Sequence, residues 1–172
     1  TILRLEKNSK IGVQLKQKQL KKNLNKMSEI TLGIIGGGQL GSMLSTAAKK
    51  LNIRTIIYSD DVDAPAQNFC DDFIFGEYNK KEKILEFVNK VDLITYEFEN
   101  IPYETLNEIN KIKTVLPKPS VNRLIQHRLA EKDFVNKLNI RTTKYVSIEK
   151  KSDIQTLDDF LPGILKTVTM GY

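Results

Sequence analysis

The chain has 172 residues, a net charge of +6, one histidine and one cysteine, so a site built on two histidines, a multi-cysteine zinc site and an internal disulfide are all excluded. Residues 1–26 carry a net +7 and the remainder carries −1, so the body has no surplus of cations for nucleic acid. No stretch reaches ~20 uninterrupted apolar residues, and a membrane-spanning helix is not expected.

Residues 1–26 are rich in Lys, Gln and Asn and contain no proline. They lack the apolar core of ~7–15 residues that a secretory signal needs, and they read as a basic disordered leader. Met27 is the first methionine and reads as the native start. From residue 31 the pattern becomes ordered. Thr31 to Ile35 is an apolar run stopped by Gly36-Gly37-Gly38, which predicts a buried strand. Residues 39–51 have helical spacing. Ile53 to Tyr58 predicts a second strand closed by Ser59-Asp60-Asp61. A turn-rich segment with Ala64-Pro65-Ala66 precedes a third strand, Asp72 to Phe75. Residues 80–89 predict a helix, Asp92 to Phe98 a fourth strand, residues 103–111 a helix after Pro102, and Thr114 to Leu116 a fifth strand.

Strands that alternate with helices predict βαβ units and a parallel α/β sheet. Their near-continuous apolar runs suit strands covered on both faces. After Pro119 the pattern changes. Ser120 is an N-cap candidate for one helix of 18 residues over 121–138. Strand-like runs follow at Thr142–Ile148 and Gly163–Lys166, with a short helix near Asp153–Phe160.

Four constellations could carry chemistry. Gly36-Gly37-Gly38-Gln39-Leu40-Gly41 matches G-x-G-x-x-G between a strand and a helix. Backbone N–H groups at a helix start favour an anion, and Asp60 at the end of the second strand stands where a ribose-binding acid would. A tight strand-to-helix turn explains the same glycines by geometry alone. Glu97 and Glu99 close the fourth strand. A period of two puts them on one face at the carboxyl end of the sheet, where open α/β folds bind ligands. Side by side they repel unless a cation or a donor meets them, and two solvated surface acids remain the plainer reading. Arg128 and Lys132 stand i, i+4 on one stripe, either for an anionic ligand or as a solvated face flanked by Glu131 and Asp133. Lys166 ends an apolar run before a glycine-containing loop and could meet a phosphate, or be an ordinary strand-end lysine. Cys70 and His127 have no partner that makes a nucleophile–base arrangement, and neither is given a role. No catalytic residue and no metal ligand is assigned.

GIIGGGQLGSML, DAPAQNFCDD, TYEFENIP, RLAEKDFVNKLNI and GILK before Gly-Tyr occur in that order over residues 30–172. Together they resemble the N-terminal part of the N5-carboxyaminoimidazole ribonucleotide synthetases of the ATP-grasp superfamily. The resemblance implies a Rossmann-like pre-ATP-grasp domain over 27–119, then a linker helix and the incomplete start of an ATP-grasp domain over 120–172. It implies a ligase that uses ATP, Mg2+ and bicarbonate to carboxylate 5-aminoimidazole ribonucleotide through carboxyphosphate, in purine biosynthesis. It further implies a cytoplasmic homodimer with no nucleic-acid or membrane partner. By position, Gly38, Gln39, Leu40, Glu97, Glu99 and Tyr172 match the substrate-binding face, and Arg128 and Lys166 match the ATP contacts. Three departures stand out. His127 replaces a usual acid, the stretch 167–170 lacks the usual basic residues, and the metal ligands and the rest of the glycine loop lie outside this chain. The polypeptide alone is therefore expected to be an inactive fragment. The runner-up is a dinucleotide-binding oxidoreductase domain, resting on the glycine motif and Asp60.

Overall fold

The computed structural model describes residues 30–170, and the leader and Tyr172 lie outside the described residues. These residues form two compact units, 30–117 and 118–170.

The first unit is a four-stranded parallel sheet, β1 (Thr31–Ile35), β2 (Arg54–Ser59), β3 (Asp72–Phe75) and β4 (Leu93–Tyr96). Its order is β3-β2-β1-β4. The helices are α1 (Gln39–Lys50), α2 (Lys81–Asn89) and α3 (Tyr103–Ile112), with a 3-10 turn at Pro65–Asn68. The predicted fifth strand shrinks to one parallel bridge, Ile94 to Val115. At the other end of the sheet, carboxylates close two strand starts. Asp92 accepts the Thr31 N–H at 2.8 Å and Asp71 accepts the Thr55 N–H at 2.7 Å. Each donor would otherwise lie beyond the ladder without a strand partner.

The two faces of the sheet are unequal. One carries a core of twelve buried residues, including Tyr58, Phe87, Val88, Ile94 and Leu106. The other buries only Ile34, Ile57 and Ala66 together, with Leu32, Cys70 and Phe73 partly buried against them. Helix α1 lies on this thinner side against the 3-10 turn and presents the small residues Gly41, Ser45 and Ala48 inward.

Tyr58 sits at the heart of the larger core. Its ring packs 5.5 Å from Phe87, and its hydroxyl donates to the Glu77 carbonyl at 2.8 Å. Burial pushes its hydroxyl from 10.0 up to about 12, helped by the charges of Asp60 and Glu77. The folded state thus holds this proton more tightly than the unfolded chain. The stabilisation is complete below pH 10.0 and drains away as the pH rises toward about 12. Melting temperature followed across this window should fall steeply. The Tyr58→Phe variant should start less stable, having lost the hydrogen bond, but show a flatter alkaline decline; an equally steep decline would contradict the assignment.

The second unit holds α4 (Pro119–Ile125) and α5 (Arg128–Lys137). The single helix expected over 121–138 is broken at Gln126–His127. His127 takes an extended backbone, φ −119°, and its Nδ1 accepts the Ala130 N–H at 3.3 Å, capping α5. The helix start also moves from Ser120 to Lys118, with Pro119 at the first helical position, where the missing N–H costs nothing. The runs 142–148 and 163–166 form no strand. A strand needs a ladder neighbour, and none exists for them among the described residues.

Candidate functional site

The strand order reverses between β1 and β4. Successive strands run outward from β1 through β2 to β3, and then the chain crosses back to place β4 on the other side. The carboxyl ends beside such a switch point are where open α/β sheets bind ligands. The glycine loop after β1 and the acidic segment after β4 both fall there.

The loop's shape is set by what a side chain would strike. Gly36 has φ +103°, a region closed to most L residues. A Cβ added there would stand 2.4 Å from the Glu97 Cγ, and one on Gly37 would stand 2.5 Å from the Ala64 Cβ. The loop is pinned on both sides. Gly36 N–H donates to the Tyr58 carbonyl at 2.8 Å, and Ala66 N–H donates to the Gly37 carbonyl at 3.0 Å. The small residues of Ala64-Pro65-Ala66 are what let that segment pack so closely. Sequence reasoning gave them no role, although two alanines around a proline beside a glycine loop are a fair sign of close approach.

Glu97 decides the chemistry. Its two carboxylate oxygens accept the N–H groups of Gly38 and Gly41, both at 2.7 Å. Helix α1 has no side-chain cap of its own at Gly38, so Glu97 caps it from 59 residues away. The partial positive charge of a helix start meets a carboxylate from this same chain. These are amides that a dinucleotide pyrophosphate would use. The oxidoreductase reading loses its main support for that reason.

Gly38 and Glu97 are thus brought together. Gln39 and Leu40 are exposed on the first turn of α1, at the same mouth. Glu99 follows β4 in a turn and is half-buried. The ladder ends at Tyr96, although Glu97 N–H still donates to the Ile35 carbonyl at 3.0 Å. Beyond it the chain bends, because β1 has already ended in Gly36 and offers no further partner. The alternation expected to put Glu99 beside Glu97 on one face does not extend that far. Asp60 is exposed at the end of β2. Burial, then the charges of Asp60 and Glu97, push the Tyr78 hydroxyl well above its usual value. That ties Tyr78, which sequence reasoning passed over, electrostatically to both acids. Its ring lies 6.5 Å from Phe98.

In the second unit, Arg128 N–H donates to the Val168 carbonyl at 2.9 Å. This brings the segment holding Lys166 to the start of α5. The Arg128 Nε is buried and has no hydrogen-bond partner, an unspent donor of the kind an anion would use. Lys166 is exposed. Lys132 does not join Arg128 toward a common anion. It donates to Thr143 at 3.1 Å and lies 5.2 Å from the centre of the Tyr145 ring. Tyr172 lies outside the described residues.

Residues 29–126 match the family described as "Ribonucleotide synthetase preATP-grasp domain". The bifunctional purine synthesis protein purC/E of Dictyostelium discoideum is 37% identical over 144 residues, which are 83% of this chain and 14% of that protein. The N5-carboxyaminoimidazole ribonucleotide synthase of Brucella melitensis is 35% identical over 144 residues, 83% of this chain and 40% of that protein. An N5-carboxyaminoimidazole ribonucleotide synthetase solved as its ADP complex superposes with a TM-score of 0.75 at 29% identity, covering 83% of this chain and 38% of the other. The chain therefore spans less than half the length of these relatives and aligns with one part of each. Together with the parallel sheet and its glycine loop, the family match over residues 29–126 makes this chain a member of the ribonucleotide synthetase pre-ATP-grasp family, similar over 83% of its length to a solved N5-carboxyaminoimidazole ribonucleotide synthetase.

Proposed function

We propose that the protein to which this chain belongs carboxylates 5-aminoimidazole ribonucleotide, using ATP and bicarbonate, in purine biosynthesis. In this reading ATP activates bicarbonate as carboxyphosphate, and the carboxyl group passes to the exocyclic amine of the ribonucleotide. The observation that carries it is the Glu97 clamp on Gly38 and Gly41. It takes those amides out of phosphate binding and leaves the Glu97 carboxylate, with the exposed Gln39 nearby, at the mouth of the sheet. Such polar groups suit the hydroxyls and amine of a ribonucleotide. In this reading Gly38, Gln39, Leu40, Glu97 and Glu99 face that substrate; Tyr172, which the resemblance assigns to it as well, lies outside the described residues. Arg128 and Lys166 meet the phosphates of ATP, where guanidinium and ammonium groups are matched to phosphate oxygens.

Among the described residues no group of three His, Cys, Asp or Glu side chains is placed to hold a metal ion. In this reading the reaction also uses Mg2+ together with ATP. No helix among the described residues is long and apolar enough to cross a membrane. A cytoplasmic homodimer with no nucleic-acid or membrane partner completes the reading.

A chimera tests it. Residues 27–172 replace the aligned segment of the Brucella relative, and turnover is assayed with ATP, bicarbonate and 5-aminoimidazole ribonucleotide. The expected result is ATP-dependent carboxylation by the chimera and none by the 172-residue polypeptide alone, because phosphate, metal and acceptor must be clamped together for this chemistry. A folded chimera without turnover, or saturable NADH binding by this chain, would defeat the reading.

A further inference from the structure

Two features favoured a dinucleotide, the glycine motif and Asp60. Glu97 occupies two amides of the first. Asp60 still has no role. Tyr58 and Tyr96 both stand opposite Ile35 in register, so β2 and β4 reach the same height on either side of β1. At about 4.8 Å between neighbouring strands, their ends are roughly 10 Å apart. The floor between them is Gly36-Gly37-Gly38, which carries no side chain. This is a gap wide enough for a sugar ring.

Tyr78 spans the gap from the side of the larger core. Its ring lies 6.1 Å from Tyr58 on β2 and 6.5 Å from Phe98 just after β4. Its carbonyl accepts the Thr105 hydroxyl at 2.7 Å, which ties it to α3. Its own hydroxyl is buried and completes no hydrogen bond of normal geometry. Burial raises that hydroxyl above its ordinary 10.0. Asp60 adds to the rise by its charge and by a loose side-chain hydrogen bond, and Glu97 by its charge. Asp60 is exposed, but its carboxylate stands within reach of Tyr78. Polar contacts at a binding site are often long before the ligand arrives.

We propose that Asp60 binds the ribose hydroxyls of the ribonucleotide and that Tyr78 is the positioning residue that aims it. This assignment rests on the ribonucleotide reading above and names the residue that takes the sugar. A carboxylate has two acceptor oxygens, and the neighbouring 2′- and 3′-hydroxyls offer two donors, so one acid serves both. Glu97 is less free for this, because each of its oxygens already holds a backbone N–H at 2.7 Å. Tyr78 donates to one Asp60 oxygen and leaves lone pairs on both for the sugar. Acids on either side of the gap repel a phosphate, so the neutral sugar is the part of the substrate that enters here.

Chemical-shift titration of the 172-residue chain tests this, with 5-aminoimidazole ribonucleotide and its 2′-deoxy counterpart as probes. All the residues invoked lie in the first unit. The expected result is saturable shifts at Gln39, Leu40 and Asp60, with the deoxy compound bound about tenfold more weakly, as the loss of one charge-assisted hydrogen bond requires. Asp60→Asn should weaken the ribonucleotide about tenfold and the deoxy compound far less, so that the preference falls to about twofold or below. Tyr78→Phe keeps the ring and removes the hydroxyl. It should reduce the same preference and add nothing to Asp60→Asn. A packing role alone would leave the ratio of the two affinities untouched. An unchanged ratio in Tyr78→Phe would overturn the positioning role. An unchanged ratio in Asp60→Asn would overturn the sugar assignment and leave the ribonucleotide reading standing. No saturable shift with either probe would overturn both.

Discussion

Gly36→Ala is expected to destabilise the first unit by about 3 kcal/mol or more, the largest effect of any single-methyl change at the site. Two costs add. A φ of +103° is strained for alanine, a penalty of order 1–2 kcal/mol. The new methyl would also stand 2.4 Å from the Glu97 Cγ and 3.0 Å from the Phe98 ring. Relief requires that Glu97 move, and Glu97 holds two amides. The loop cannot yield without losing the clamp. For a unit of this size, 3 kcal/mol lowers the melting temperature by roughly 15 °C. Thermal unfolding followed by circular dichroism reads this directly. Gln39→Ala, exposed on the same turn, should stay within about 0.5 kcal/mol of the parent. A Gly36→Ala protein that melts with the parent would mean that the loop is not held as described.

Glu97→Ala should cost about 3 kcal/mol. The side chain makes two charge-assisted hydrogen bonds, both 2.7 Å and partly buried. Each contributes about 1.5–3 kcal/mol, and their loss strands two N–H donors at the start of α1. Glu97→Gln separates charge from shape. The amide can still accept one N–H, but it turns a donor toward the other. It should therefore fall between the parent and alanine. Equal stability of all three proteins would show that the helix start is satisfied by water and that Glu97 is free for other work. Amide exchange at Gly38 and Gly41 gives a local readout. Both should exchange faster in either variant, while amides in the centre of β1 and β2 change less.

The strands of the first unit were legible because burial on both faces leaves a continuous apolar run with sharp ends. Thr31–Ile35 stops at three glycines, and Asp72–Phe75 starts at an acid and stops before Gly76. That Gly38 and the β4 end share the carboxyl edge of one sheet followed from the alternation of strands and helices; the strand order, and with it the switch point, did not. The partner of Glu97 was not legible, because its contact lies 59 residues away and depends on how a turn aims one side chain. The region after Lys118 was read less well for a different reason. Residues 121–138 favour a helix throughout, and nothing local announces that His127 will turn extended and cap a new one. Thr142–Ile148 and Gly163–Lys166 have strand-like composition, but a strand exists only with its neighbour. Ile164 stands 84% exposed, a position that composition alone would have placed inside.

The link from Glu97 back to Gly38 and Gly41 also fixes when the crevice can exist. Until the fourth strand has been synthesised and laid beside the first, the start of α1 has only water to meet its amides. A nascent chain paused before residue 97 would carry the loop without its keystone, so the mouth of this sheet is among the last features of the unit to assemble.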